Sequence, residues 1–244
     1  MKKLLFGSAI ALSLALAGCG DGGTASTGGE DTKPSETEKE TEKETKASSE
    51  ITKHTGIAWV NSIGTTYVHS AAIFENTGDT PVEIGETQMN YKGKDGSMLG
   101  TSTMIYSVPK IILPGETAII AESTILDGTT ADEYAETSFN FSFDKTEGDP
   151  NVLEVSGTKG IAGEYGYKVT GIVKNITEVQ QDDVRLAAAL FDESGNLLGA
   201  LKGSVDVGIA PGSEAGFELS YPELPPEAIS KISTIEVKSY GWSW

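Results

Sequence analysis

One cysteine, two histidines and a single long apolar run are all that this 244-residue sequence offers in three categories where many proteins keep their chemistry. With Cys19 alone, the chain closes no internal disulfide, and each folded unit must rest on its own apolar core. His54 and His69 lack partners at the spacing of a metal-binding pair. No Gly-x-Ser-x-Gly elbow and no phosphate loop occurs, so two common signatures of acyl and phosphoryl transfer are missing. Positive charge is scarce as well: 18 Lys and Arg against 36 Asp and Glu leave a net charge of −18. That balance argues against nucleic acid, which requires a clustered basic face, and against close contact with anionic headgroups. Adjacent carboxylates such as Asp132-Glu133 and Asp182-Asp183 point to opposite faces of a strand and read as solvated charges. A catalytic constellation is therefore not expected, and neither is a cofactor.

The one apolar run, Leu4 to Ala17, follows Lys2 and Lys3 and ends in Leu16-Ala17-Gly18-Cys19. A charged start, a short hydrophobic stretch and small residues at its end make a secretory signal over 1–18, too short for a permanent membrane span. The four closing residues resemble the lipobox of bacterial lipoproteins. That resemblance implies diacylation of the Cys19 thiol, cleavage just before it and anchoring at the extracytoplasmic face of the cell membrane. Two acyl chains hold a protein stably where one binds only marginally. Loss of Lys2 and Lys3 would take the formal charge from −18 to −20.

From Gly20 to Lys53 the composition is Gly, Ser, Thr, Glu and Lys, with almost nothing to bury. Such a segment cannot offset its ordering entropy, so 19–53 is expected to be a disordered tether of roughly 30 to 35 Å as a coil. From His54 the texture changes to short β-branched and aromatic runs between Gly, Pro, Asn and Asp. Tyr67 to Phe74, Val82 to Tyr91, Ile111 to Ala121 and Thr137 to Phe143 are expected as strands of a first unit. Val152 to Val155, Tyr167 to Val173, Val184 to Phe191, Leu197 to Val207, Glu214 to Leu219 and Ile232 to Tyr240 are expected in a second. Ala131 to Ala135 and Pro226 to Ile229 suit single helical turns.

Superposition of the chain on itself shows a repeat. Asn76, Gly96 and Leu99-Gly100 return as Asn175, Gly195 and Leu198-Gly199, all displaced by 99 residues, and Leu113-Pro114-Gly115 returns as Ala210-Pro211-Gly212 with a shift of two. Asp95-Gly96 and Ser194-Gly195 suit hairpin turns, and the two Pro-Gly pairs suit type II turns. The expected fold is all-β: two tandem immunoglobulin-like β-sandwich domains, 54–148 and 149–244.

The second repeat resembles the FxLyD domain of bacterial extracytoplasmic proteins through Gly171-Ile172-Val173-Lys174-Asn175-Ile176-Thr177, Ala188-Ala189-Leu190-Phe191-Asp192, Leu197-Leu198-Gly199, Pro211-Gly212 and Phe217. Ala188 stands at the namesake Phe and Phe191 at the namesake Tyr. The first repeat reads Met89-Asn90-Tyr91-Lys92-Gly93 at the equivalent place. The resemblance implies an immunoglobulin-like sandwich and no enzyme activity.

Two sets of residues are candidates for contact with other molecules. Tyr240, Trp242 and Trp244 alternate, so in a strand they share one face and could stack on sugar rings or centre a protein interface. The alternative is that they close the second core or pack on the first repeat, with Trp59. Asp144, Glu147 and Asp149 bring three carboxylates to the junction between repeats, a weak calcium candidate that lacks the EF-hand spacing. These readings describe a lipid-anchored binding or accessory protein whose partner is an envelope protein or cell-wall glycan. The solute-binding subunit of a transporter and a structural spacer of the envelope are the alternatives.

Overall fold

The computed structural model describes residues 46–104, 106–163 and 166–244. The expected signal 1–18, Cys19 and most of the expected tether lie outside these residues. Within them the fold is all-β, with thirteen strands, one 3-10 turn at Ala131–Glu133 and one short helix, α1 (Pro226–Ile229). The first repeat supplies β1 (Ser49–Val60), β2 (Thr66–Asn76), β3 (Val82–Gly93), β4 (Met98–Met104), β5 (Ile111–Ile112), β6 (Thr117–Ile125) and β7 (Tyr134–Lys145). The second supplies β8 (Glu154–Gly163), β9 (Gly166–Lys174), β10 (Asp183–Phe191), β11 (Leu197–Val205), β12 (Glu214–Leu219) and β13 (Thr234–Trp242).

Four antiparallel sheets result, and they correspond between repeats. In sheet I, β2 lies between β1 and β6; in sheet II, β3 pairs with β4 and β5 and also with β7. In sheet III, β9 lies between β8 and β12; in sheet IV, β10 lies between β11 and β13. Sheets I and II enclose a first core that includes Phe74, Ile84, Met89, Tyr91 and Ile120. Sheets III and IV enclose a second that includes Val173, Leu186, Leu190, Leu201 and Leu219. Side chains alternate along a strand, so each sheet has a second face. On sheets I and IV that face is also apolar, and Ala71, Ile73, Ile119 and Ala121 meet Ala187, Ala189, Phe191 and Ala200 in a third core. The layers therefore stack in the order II, I, IV, III, and the described residues form one compact unit.

The repeat landmarks act as fasteners. Asn76 is fully buried; its Nδ2 donates to the Thr80 and Ile112 carbonyls at 2.9 and 2.8 Å, and its Oδ1 accepts from the Gly78 amide at 2.9 Å. Asn175 does the same with the Val179 and Ile209 carbonyls, both at 2.8 Å, and the Thr177 amide at 2.9 Å. Each Pro-Gly pair forms a turn closed by a bond from Glu116 N to Leu113 O or from Ser213 N to Ala210 O. Gly115 and Gly212 sit there at φ 77° and 74°, the region that glycine enters without steric cost.

Four expectations need correction, the first being the strand Val152 to Val155: β8 runs over Glu154–Gly163 instead, and Val152 makes only an isolated bridge to Tyr240. The tether was expected to run to Lys53, but β1 begins at Ser49: Ile51 packs on the first core and the whole strand pairs with β2. A polar composition there conceals a strand whose partner is supplied by tertiary structure. The expected strand Ile111 to Ala121 is two, β5 and β6, because the Pro114-Gly115 turn interrupts it. Strand β4, rich in Gly, Ser and Thr, had no expected counterpart in the first repeat.

Candidate functional site

The alternation of Tyr240, Trp242 and Trp244 does place their rings in a row. Tyr240 and Trp242 have centroids 5.7 Å apart, and Trp244 meets Trp242 edge-on at 6.0 Å. Strand β13 pairs with β10 so that Arg185 lies opposite Tyr240 and Asp183 opposite Trp242. All four side chains occupy the sheet IV face that looks toward the first repeat. From that repeat comes Tyr106, in the segment between β4 and β5, which Val108 fixes to Ile119 by reciprocal backbone bonds of 2.9 and 2.8 Å. Trp59 stacks on Tyr67 instead, at 5.5 Å.

Tyr106, Arg185, Tyr240 and Trp242 wall a cleft of about 560 Å³ between the repeats, completed by Glu83, Lys110 and the connecting segment Asp149 to Asn151. Such a volume lies within the range of small-ligand sites. Asn151, at φ 46°, turns its carbonyl to accept from the Gly241 amide at 3.1 Å, which pins the connection against β13. The Asp149 carboxylate accepts from the Asn151 amide at 2.8 Å.

Arg185, the sole arginine of the sequence, lies between two rings: its guanidinium carbon is 5.7 Å from the Tyr106 centroid and 5.4 Å from that of Trp242. It donates to Asp183 Oδ2 at 2.8 Å. Burial opposes its charge, but the hydrogen bond and charge of Asp183 outweigh that and raise its pKa. The ladder continues along the seam, with Lys202 Nζ 5.7 Å from the Tyr106 ring and 5.3 Å from that of Tyr221. Lys202 pairs with Glu122 at 2.9 Å, and the Tyr221 hydroxyl donates to the same carboxylate at 2.5 Å. Burial pushes Tyr240 up to about 12; for Tyr221, burial and then the Glu122 bond do the same. Both phenols stay protonated at neutral pH, and each rung of the ladder is an aromatic face on a cation.

Tyr240 is buried at 7% exposure, Trp242 half-buried and Trp244 open to solvent at 89%. Trp244 is nonetheless held: its amide donates to Asp182 Oδ2 at 3.1 Å, and the neighbouring Ser243 hydroxyl donates to the Gln180 carbonyl. Thus one aromatic row runs from the interior, past the cleft wall at Trp242, to solvent at Trp244.

The carboxylates at the junction do not converge. Asp144 lies in β7 opposite Glu83, and Asp149 bonds its own turn. Among the described residues no group of three or more His, Cys, Asp or Glu side chains is placed to hold a metal ion, and no helix is long and apolar enough to cross a membrane. His54 lies against Phe139 with centroids 5.9 Å apart, and His69 is buried between sheets I and IV. Sequence reasoning missed Tyr106, Glu83, Lys110 and Arg185. For Arg185 a signal existed: one arginine, set against an apolar run in a strand. Neither a protein-family model nor a curated protein sequence matches this chain.

Proposed function

We propose that this is a non-catalytic, lipid-anchored binding or accessory protein of the cell envelope, carrying two immunoglobulin-like units and taking its partner at the cleft between them. Cys19 is the acylated residue in this reading, and the partner is an envelope protein or a cell-wall glycan. The observation that carries the reading is Trp244: a large apolar ring, 89% exposed, that sits edge-on to Trp242 of the cleft wall while its backbone amide is bonded to Asp182. Rigid aromatic anchors are what binding surfaces use, because little ordering entropy remains to be lost on contact. The net charge of −18 keeps nucleic acid out of the reading. A transporter's solute-binding subunit fits less well, since such a cleft works by closing, and here the walls share a packed core.

The test is capture by the full chain in detergent, offered solubilised envelope extract and purified wall glycan, beside Trp244→Ala at equal thermal stability. Specific capture weakened by the substitution is expected. Capture by neither protein would leave a spacer as the better reading.

A further inference from the structure

We infer that the cleft accepts an uncharged sugar ring, an assignment that rests on the binding reading above and names its ligand class. The charges at the cleft are already matched. Lys110 pairs with Glu83 at 2.5 Å and Arg185 with Asp183 at 2.8 Å. A phosphate or carboxylate ligand would add negative charge beside the Glu83 and Asp149 carboxylates of the lining, in a protein of net charge −18. A cationic ligand meets the opposite obstacle, because Arg185 already occupies the space between the Tyr106 and Trp242 faces.

What the matched pairs leave available is both donor and acceptor capacity: Arg185 spends one N–H on Asp183, and its Nε is buried without a hydrogen-bond partner. The carboxylates of Glu83 and Asp149 each offer several lone pairs, of which one salt bridge and one amide bond use a part. A sugar ring suits that mixture: its hydroxyls donate and accept along one edge, and its flat C–H face covers an indole. A proline-rich peptide, the other occupant that aromatic grooves take, brings few N–H groups and leaves the Glu83 and Asp149 acceptors unanswered. Trp244, edge-on to Trp242 and with its backbone amide bonded to Asp182, extends the aromatic surface of the cleft wall into solvent.

The experiment titrates the full chain in detergent with chitotetraose, cellotetraose and maltotetraose, and separately with decaproline and with polygalacturonate, reading tryptophan fluorescence and calorimetric heat. Saturable binding of at least one neutral tetrasaccharide is expected, weakened tenfold or more by Trp244→Ala with the melting temperature unchanged. Asp149→Ala, which removes acceptors while leaving the aromatic row, should weaken it as well. Three results overturn the inference: no neutral tetrasaccharide binds, binding survives both substitutions, or only decaproline or polygalacturonate binds. If envelope capture persists while the saccharides fail, the ligand class falls and the binding reading stands; loss of both removes the two together.

Discussion

His69 of the first repeat accepts a hydrogen bond at Nε2 from the Ala200 amide of the second, 3.1 Å away in the core they share. An accepting Nε2 requires the hydrogen on Nδ1, which donates to Ser123 Oγ at 3.1 Å, and that hydroxyl donates in turn to the Glu223 carbonyl at 3.0 Å. Burial, and secondarily the charge of Lys202, lower the His69 pKa from 6.5 to about 3. The neutral ring is thus part of the joint between repeats.

A pH dependence follows. Above pH 6.5 neither the folded nor the unfolded chain protonates this residue, and its contribution to stability is complete. Below that, the unfolded chain binds a proton that the folded chain refuses until about pH 3. Stability from this group should decline by about 1.4 kcal/mol per pH unit across the window. Urea unfolding of the wild type and of His69→Leu at successive pH values checks it: the gap between them should be constant above pH 6.5 and narrow below. Parallel curves would show that His69 does not titrate as described.

Asn76→Ala and Asn175→Ala should each cost about 2 to 4 kcal/mol, since each strands two buried carbonyls and one amide. The two losses should be similar in size, because the bonds correspond. Equilibrium unfolding reads both.

Within the third core, Ile119→Ala should cost about 2 to 4 kcal/mol as a cavity between sheets I and IV. Ile63→Ala, at an 83% exposed turn position, should stay within about 0.5 kcal/mol. A third core of no energetic weight would make the two alike.

Lys202 and Glu122 form the most enclosed ion pair of the seam, with side chains 12% and 15% exposed. Glu122→Gln leaves the ammonium poorly compensated and should cost about 3 kcal/mol. Adding Lys202→Met should recover much of that loss, which thermal melts of the single and double variants measure.

Most of the strands and the repeat were legible because their signals are local: alternation in Ser138 to Phe143, Pro-Gly turns, and asparagines at matching offsets. Strand β1 was not, since Glu50, Thr52 and Lys53 have the composition of a tether and become a strand only by pairing with β2. The joint between repeats was hidden for a related reason. Its contacts are made largely by small residues, Ala71, Ala187, Ala189 and Ala200, which carry no individual signature. A trace of it does exist in the unbroken apolar run Leu186 to Phe191, the mark of a strand covered on both faces. The aromatic row could be read from spacing alone, whereas Tyr106 reaches Arg185 only through that joint.

The cleft exists because two repeats share one core, and urea unfolding of the full chain tests that claim most directly, followed through one tryptophan at a time. Trp59 reports the first repeat when Trp242 and Trp244 are replaced by Phe; Trp242 reports the second when Trp59 and Trp244 are replaced. Coincident transitions, with one midpoint after correction for the stability of each variant, are predicted. Two separate transitions, one from each tryptophan, would contradict the shared core and the cleft built on it.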